Sequence, residues 1–419
     1  MSKSQDPPRS RHDVRMRGFA QRTTVPEALA WLDAQLQTLS SEKVSLEQAA
    51  GRVLATAIAS RFDVPLFDRA MMDGLAVSAA STLGASSYNA LPLEIVGEAF
   101  PGRPFEGHIG SGQAVRIMTG APMPPGADSV LPAELVDFDG AVARALGEVA
   151  PGKHVGARGE DVVAGTTVLE AGRRLRPQDL GVLSSIGAEM LDCMRRPRVN
   201  IVITGNELLP CGSQPRGFQI TDANGPMLSA LVARDGGEIV RRTMVGDDRA
   251  EISQALCEEA DVVIVSGGSS VGQEDHVPMI LAEQGELAIH GIAMRPSSPT
   301  GMGLLGNRLV FLLPGNPISC LCGYDFFAGR AIRALGGRAL DWPYREARGQ
   351  LARKINSEIG RVDYARVTFR DGQVTPLAIG GASILSSAVR ADGFLVIPGD
   401  LEGYPEGALV NIFLYDSTV

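Results

Sequence analysis

The stretch ADVVIVSGGSSVGQED, residues 260–275, decides how the chain is read. Residues 262–265 form a short β-branched run, the pattern of a strand covered on both faces. The run passes directly into Gly267, Gly268 and Gly272, which let the backbone turn sharply and approach a ligand closely. Ser266, Ser269 and Ser270 add hydroxyls. Glu274 and Asp275 add carboxylates where a cation can bridge to an anion. Ligands of open α/β sheets bind outside the carboxyl ends of the strands, so this turn is expected to hold one.

Working outward, residues 191–337 alternate strand and helix. Strands are expected at 199–204, Glu238–Val245, 262–265, 287–293 and 309–313. Helices are expected at 226–234, 249–260 (with Asp247-Asp248 before it), 278–283 and 318–335. This alternation predicts a doubly wound, mostly parallel sheet. Three strand ends carry polar residues: Asn206 with Glu207, the 266–275 turn, and Pro314-Gly315-Asn316-Pro317. A parallel sheet brings such ends to one edge. Serines and backbone N–H groups there suit phosphate. Glu207, Asp247 and Asp275 suit a hard cation such as Mg²⁺, which takes a few carboxylates plus substrate oxygens. Arg295 can pair with an anionic group. The turn is neither a Walker A loop nor G-x-G-x-x-G.

The flanking chain reads differently. Residues 1–21 are polar and expected to be a disordered tail. Residues 23–39 predict a helix, with Thr24 and Glu27 at capping-box spacing; Ser45 and Gln48 repeat that spacing, and 52–60 reads as a strand. Residues 61–150 predict a small β-rich domain, with short strands and Gly/Pro turns over 91–96, 97–102, Gln113–Ile117 and 129–131. It sits as an insertion between 22–60 and 151–190, which together form a discontinuous N-terminal domain. Within the insertion, Met71-Met72-Asp73-Gly74 is a carboxylate beside glycine, a site or simply a turn. Thr119, in RIMTGAP, can offer its hydroxyl and N–H to an anion. Residues 338–419 are short strands between Gly and Pro, a compact C-terminal β domain.

Bulk properties exclude several classes. A chain of 419 residues with net charge −9 is not built for non-specific nucleic-acid binding. No apolar run reaches membrane-spanning length. The five cysteines are scattered and form no zinc pattern, which fits reduced thiols and a cytoplasmic location.

Eight motifs in order, MMDGLAV, GEAFPG, RIMTGAPMPPGAD, RGEDV, TGNEL, VSGGSSVGQED, AMRPSSPTG and LLPGNPISC, resemble the molybdopterin molybdenumtransferases, the MoeA-like family related to the gephyrin E domain. The resemblance implies the domain order above, with a molybdopterin-binding α/β domain and a C-terminal β-barrel. It implies a homodimer and Mg²⁺-dependent insertion of molybdate into adenylylated molybdopterin, releasing AMP. A molybdopterin adenylyltransferase is an implied partner. By position, Asp73, Thr119 and Asp161 would reach the site from the first two domains. Glu207, Asp247 and Asp275 would bind or orient metal and pyrophosphate. Gly267, Gly268, Ser269 and Ser270, with Pro314, Gly315 and Asn316, would cradle the pterin or phosphate. Arg295 and Arg366 would supply positive charge.

The chain departs from the family in ways that thin its positive charge. Asn206 replaces the aspartate of TGDEL. Pro296-Ser297-Ser298-Pro299 lacks the lysine of P-G-K-P. Gly291 stands at another basic position, and Val155-Gly156 replaces the I-R before GED. Either Arg295, Arg158 and serine hydroxyls substitute, or the chain is an impaired molybdopterin-binding scaffold. On the first reading Asp275→Asn lowers turnover at least tenfold, about 1.4 kcal/mol, in a folded protein; unchanged turnover would remove Asp275 from the mechanism.

Overall fold

The computed structural model describes residues 22–268, 276–378 and 380–416. The chain divides into two compact units. One is Lys43–Cys193, and the other holds the remaining described residues.

Helix α1, Val25–Gln35, opens the larger unit. The expected capping box is formed: Thr24 Oγ1 accepts from Glu27 N at 3.3 Å, and Glu27 Oε2 accepts from Thr24 N at 2.9 Å. Its Val25, Ala28 and Leu32 are buried in the same core as the α/β sheet. The helix stops before 39 because Leu36 is extended. The second box does not form. Ser45 makes no side-chain cap bond, and Leu46–Gln48 is a single 3₁₀ turn.

The Lys43–Cys193 unit is built on a six-stranded sheet. Its strands are β1 (Gly74–Val77), β2 (Leu91–Ala99), β3 (Gln113–Ile117), β4 (Ser129–Pro132), β5 (Val136–Asp139) and β6 (Val142–Ala145), in the order β4-β1-β3-β2-β6-β5. β2 joins the segment expected at 91–96 to the first part of 97–102 as one strand, through a register shift between Ile95 and Gly97. A Cβ on Gly97 would lie 2.4 Å from the Phe105 ring, so only glycine lets that ring pack on the strand. The strand expected over 52–60 reduces to Ile58–Ala59, paired with Thr167–Leu169.

In the larger unit, β7 (Arg198–Thr204), helix α2 (Asn224–Asp235), β8 (Glu238–Val245), α3 (Arg249–Leu256), β9 (Val262–Ser266) and α4 (Val277–Gln284) follow in sequence. They are followed by β10 (Glu286–His290), β11 (Gly301–Leu305) and β12 (Arg308–Leu313). The sheet order is β8-β7-β9-β12-β11-β10. The first four strands are parallel; β11 and β10 add an antiparallel edge. Every residue of β9 is buried, as its β-branched run predicts. One apolar core lies on each face of the sheet. Asp248 Oδ1 caps α3 by accepting from Ala250 N at 2.9 Å and Glu251 N at 3.0 Å.

The helix expected over 318–335 is α5 (Pro317–Gly323), a π turn (Tyr324–Ala328) and α6 (Gly329–Leu335). The π turn carries Asp325 into a buried ionic network. Arg234 Nη2 donates to Asp325 Oδ1 at 3.0 Å and to Asp235 Oδ2 at 2.9 Å. Arg333 lies 3.1 Å from Asp235, and Tyr344 O–H donates to Asp325 at 2.9 Å. Burial pushes the Asp325 carboxyl above its ordinary range, opposed by Arg234.

The C-terminal strands are β13 (Arg345–Leu351), β14 (Val362–Arg370), β15 (Gln373–Ala378), β16 (Gly393–Ile397) and β17 (Leu409–Leu414). They close in the order β14-β15-β13-β17-β16, with β16 pairing back to β14. This is the β-barrel that the family resemblance implied. A short strand, Met294–Arg295, pairs in parallel with Val362 and Asp363 of β14 and ties barrel to sheet. Among the described residues no helix is long and apolar enough to cross a membrane. Removing Arg234 as Arg234→Met strands Asp325 without its cation, and urea unfolding should show a loss of about 3–5 kcal/mol. A loss below about 1 kcal/mol, the scale of a surface pair, would contradict the network's structural role.

Candidate functional site

The carboxyl ends of β7, β8, β9 and β12 share one edge and open onto a cleft of about 580 Å³. Gly267 follows β9 so closely that an added Cβ would lie 2.3 Å from the Thr204 carbonyl oxygen of β7. Its φ of +102° is a second reason for glycine. Gly268, with φ of +56°, continues the turn. Thus Gly267 and Gly268 line the cleft as read from sequence, together with Pro314, Gly315 and Asn316. Ser269, Ser270 and Asp275 lie outside the described residues.

Glu207 and Asp247 line the same cleft. Asn206 explains how two loops meet there. Its N–H donates to Asp247 Oδ2 and its Oδ1 accepts from Asp247 N, both at 3.1 Å. An aspartate at 206 would put a further negative charge beside Asp247. Among the described residues no three His, Cys, Asp or Glu side chains gather as a metal cage. Two carboxylates on one wall nevertheless fit Mg²⁺, which is bound through one or two carboxylates together with substrate phosphates.

The cleft also presents residues that sequence reasoning missed. Asn224 Nδ2 donates to the Gly315 carbonyl at 2.7 Å and to Ser266 Oγ at 2.9 Å. Because the carbonyl can only accept, the amide orientation is fixed. Asn224 Oδ1 is therefore left facing elsewhere, buried and without a partner among the described residues. Thr204 Oγ1 is in the same state. Buried polar atoms are seldom left unpaired, which sets these two apart from the rest of the sheet edge. Asn224 is the first residue of α2, two residues before the helix start expected from sequence. Cys320 lies under this edge, 3.6 Å from Ser266 Oγ, and burial pushes its thiol up to about 12, so it is a packing residue.

A second cleft of about 840 Å³ adjoins the first through Pro299, Pro314 and Asn316. Arg295 lines it, but the anion Arg295 meets is internal. Its Nε donates to Asp363 Oδ1 at 3.1 Å, and its Nη2 donates to Asp363 Oδ2. Arg361 and Arg22 line the same cleft, and neither was picked out from sequence. Arg366 is not on its wall. It is fully buried, its Nη2 donating to the Gly380 carbonyl, while Nε and Nη1 have no partner among the described residues. Burial holds its pKa below the ordinary range.

Asp73, Thr119 and Asp161 belong to the Lys43–Cys193 unit. There Asp73 Oδ1 accepts from Thr119 N at 2.7 Å and from Thr119 Oγ1 at 2.8 Å. These bonds hold the Asp73 carboxyl below the usual range, the N–H contributing most. The anion that takes Thr119's donors is thus Asp73 itself, and the pair stitches two exposed turns. Asp161 is exposed, and its N–H donates to the Val64 carbonyl. Arg158 donates from Nε to Asp63 Oδ2 at 2.6 Å.

Known proteins can be set beside this geometry. Residues 23–187 match the MoeA N-terminal region (domain I and II), and 200–334 match a probable molybdopterin binding domain. Residues 348–415 match the MoeA C-terminal region (domain IV). The molybdopterin molybdenumtransferase of Haemophilus influenzae is 32% identical over 384 residues, 89% of this chain and 93% of that protein. Molybdopterin molybdenumtransferase 2 of Mycobacterium tuberculosis is 33% identical over 88% of this chain and 94% of its own length. The crystal structure of a molybdopterin biosynthesis MoeA protein from Pyrococcus horikoshii superposes with a TM-score of 0.80 at 30% identity, covering 95% of this chain and all of that one.

The tight approach at Gly267 makes a direct prediction. Gly267→Ala meets both the Thr204 carbonyl and an unfavourable φ, so urea unfolding should show a loss of about 1–3 kcal/mol. An unchanged midpoint would mean that the turn does not need glycine.

Proposed function

The chain belongs to the MoeA family of molybdopterin molybdenumtransferases, enzymes of molybdenum cofactor biosynthesis, and on that premise we propose that it inserts molybdate into adenylylated molybdopterin in a Mg²⁺-dependent reaction that releases AMP. The observation that carries this reading is the junction of two unlike clefts. One is walled by Glu207, Asp247 and a glycine turn, the other by arginines, and Pro299, Pro314 and Asn316 belong to both. A substrate with a pyrophosphate and a second, anionic substrate need such neighbouring environments.

In this reading the Gly267–Gly268 backbone admits the substrate close to the strand ends, and Glu207 with Asp247 holds Mg²⁺. Held by these carboxylates, Mg²⁺ would supply charge neutralisation for the pyrophosphate oxygens. Asn206 keeps the Glu207 and Asp247 loops in register. The second cleft supplies the positive charge for molybdate. A homodimer, delivery of substrate by an adenylyltransferase and a cytoplasmic location belong to the same proposal.

A scaffold that binds molybdopterin without efficient turnover is the second reading, favoured by the lysine-free Pro296–Pro299 turn. Purified protein with adenylylated molybdopterin, molybdate and Mg²⁺ separates the two. Release of AMP that needs both molybdate and Mg²⁺ is expected, and Asp247→Asn should slow it by about tenfold or more. Tight substrate binding with no AMP would establish the scaffold instead.

A further inference from the structure

The loop from Gly205 to Asp222 builds one wall of the sheet-edge cleft, with Glu207, Leu208, Ile220 and Thr221 among its lining residues. The feet of this loop are two short strands, Leu208–Leu209 and Ile220–Thr221, paired in parallel. Ile220 N–H donates to the Glu207 carbonyl and Asp222 N–H to the Leu209 carbonyl, both at 2.9 Å. Between the feet, residues 210–219 form a strap with two backbone turns. Ser213 N–H donates to the Pro210 carbonyl at 3.1 Å, and Gln219 N–H to the Arg216 carbonyl at 3.2 Å. Phe218 sits on the strap two residues from Ile220, so its Cα lies within about 7 Å of a residue of the cleft wall. It is 99% exposed, so its ring packs against nothing in the described chain.

Single apolar side chains are common on surfaces, so exposure alone decides nothing. The composition of the clefts does. Among the described residues no aromatic side chain lines the sheet-edge cleft or the arginine-lined cleft beside it. Flat heterocycles are ordinarily held by stacking on aromatic rings. The walls offer carboxylates, arginines and a glycine turn for charged groups, and no flat side chain for a ring. Phe218 is the one aromatic residue between Gly205 and Asp222, the segment whose feet line the cleft.

We propose that residues 210–219 are a strap that closes over the sheet-edge cleft and stacks Phe218 on a flat nitrogen heterocycle of the substrate. This rests on the reading above, whose substrate carries two such rings, the purine of its adenylyl group and the pterin. Gly217, beside Phe218 at φ of +61°, absorbs the backbone change of closure. The paired feet hold Glu207 in place while the strap swings, so ring recognition is added without disturbing the carboxylate. A phosphate ester without a flat ring gains nothing from the stack. Phe218 therefore sets specificity for the ring, while the cleft walls set it for charge.

The test is calorimetric titration of the full-length protein with AMP and, separately, with molybdopterin, followed by AMP-release kinetics. Phe218→Ala and Phe218→Leu should each weaken binding of at least one of these ligands by about tenfold, since both remove the ring. Weakened AMP binding assigns the stack to the purine, and weakened molybdopterin binding assigns it to the pterin. Phe218→Trp should bind that ligand at least as tightly as wild type, and the ligand should quench its indole fluorescence. The KM for molybdate and the urea midpoint should match wild type in all three variants, a split that general damage to the loop would not give. Affinities for both ligands within about twofold of wild type in Phe218→Ala, or full recovery in Phe218→Leu, overturn the strap. Failure of wild type to bind either ligand overturns it too. AMP release with affinities that ignore Phe218 leaves the proposed reaction standing without the strap. Binding that depends on Phe218 with no AMP release overturns the reaction and leaves the strap standing.

Discussion

The hydrogen-bond ladder that aligns β8, β7, β9 and β12 in parallel is the constraint on which the α/β domain depends. It can form only because these strands, β9 above all, are apolar enough to be buried on both faces. Once formed, it delivers four strand ends to one edge. Their loops cannot avoid one another there: Gly267 must pass the Thr204 carbonyl, and Asn206 must pair with Asp247. The cleft is a consequence of strand alignment before it is a binding site.

Charge in the larger unit is organised by buried carboxylates. Asp235 and Asp325 gather Arg234, Arg333 and Tyr344 where the π turn meets the start of the barrel. Asp363 gathers Arg295, Arg361 and Ser357 where barrel and sheet meet. A buried carboxylate is tolerated only when donors surround it, so each joint is specified by a small set of partners. The first joint is closed on itself. At the second, Arg295 and Arg361 also line an open cleft.

Much of this was legible in the sequence. The β-branched run and glycines of 262–268 gave the strand and its turn, and Thr24 and Asp248 capped their helices as their spacing implied. β11 and β13 were missed because GMGLL and REARGQL lack apolar alternation. β11 is glycine-rich because its neighbour passes so near: a Cβ on Gly303 would lie 1.9 Å from the Glu286 carbonyl oxygen. The site was legible in its carboxylates and glycines but not in its pairings. Arg295 and Asp363 are far apart in sequence, as are Asn224 and Gly315, and only the folded chain brings them together. Asp73 and Thr119 are expected from the family resemblance to reach the site, and their bond to each other, across 46 residues of sequence, is visible only in the folded chain.

The central claim is that the edge of the parallel sheet and the arginine-lined cleft form one site for two anionic substrates. Anomalous diffraction at the molybdenum absorption edge, from crystals of this protein soaked with molybdate and AMP, tests it most directly. The account predicts a molybdenum peak in the arginine-lined cleft beside Arg295 and Arg361, with the AMP phosphate in the adjoining cleft near Gly267. A molybdenum peak away from these side chains, in crystals that hold AMP in that cleft, would contradict it.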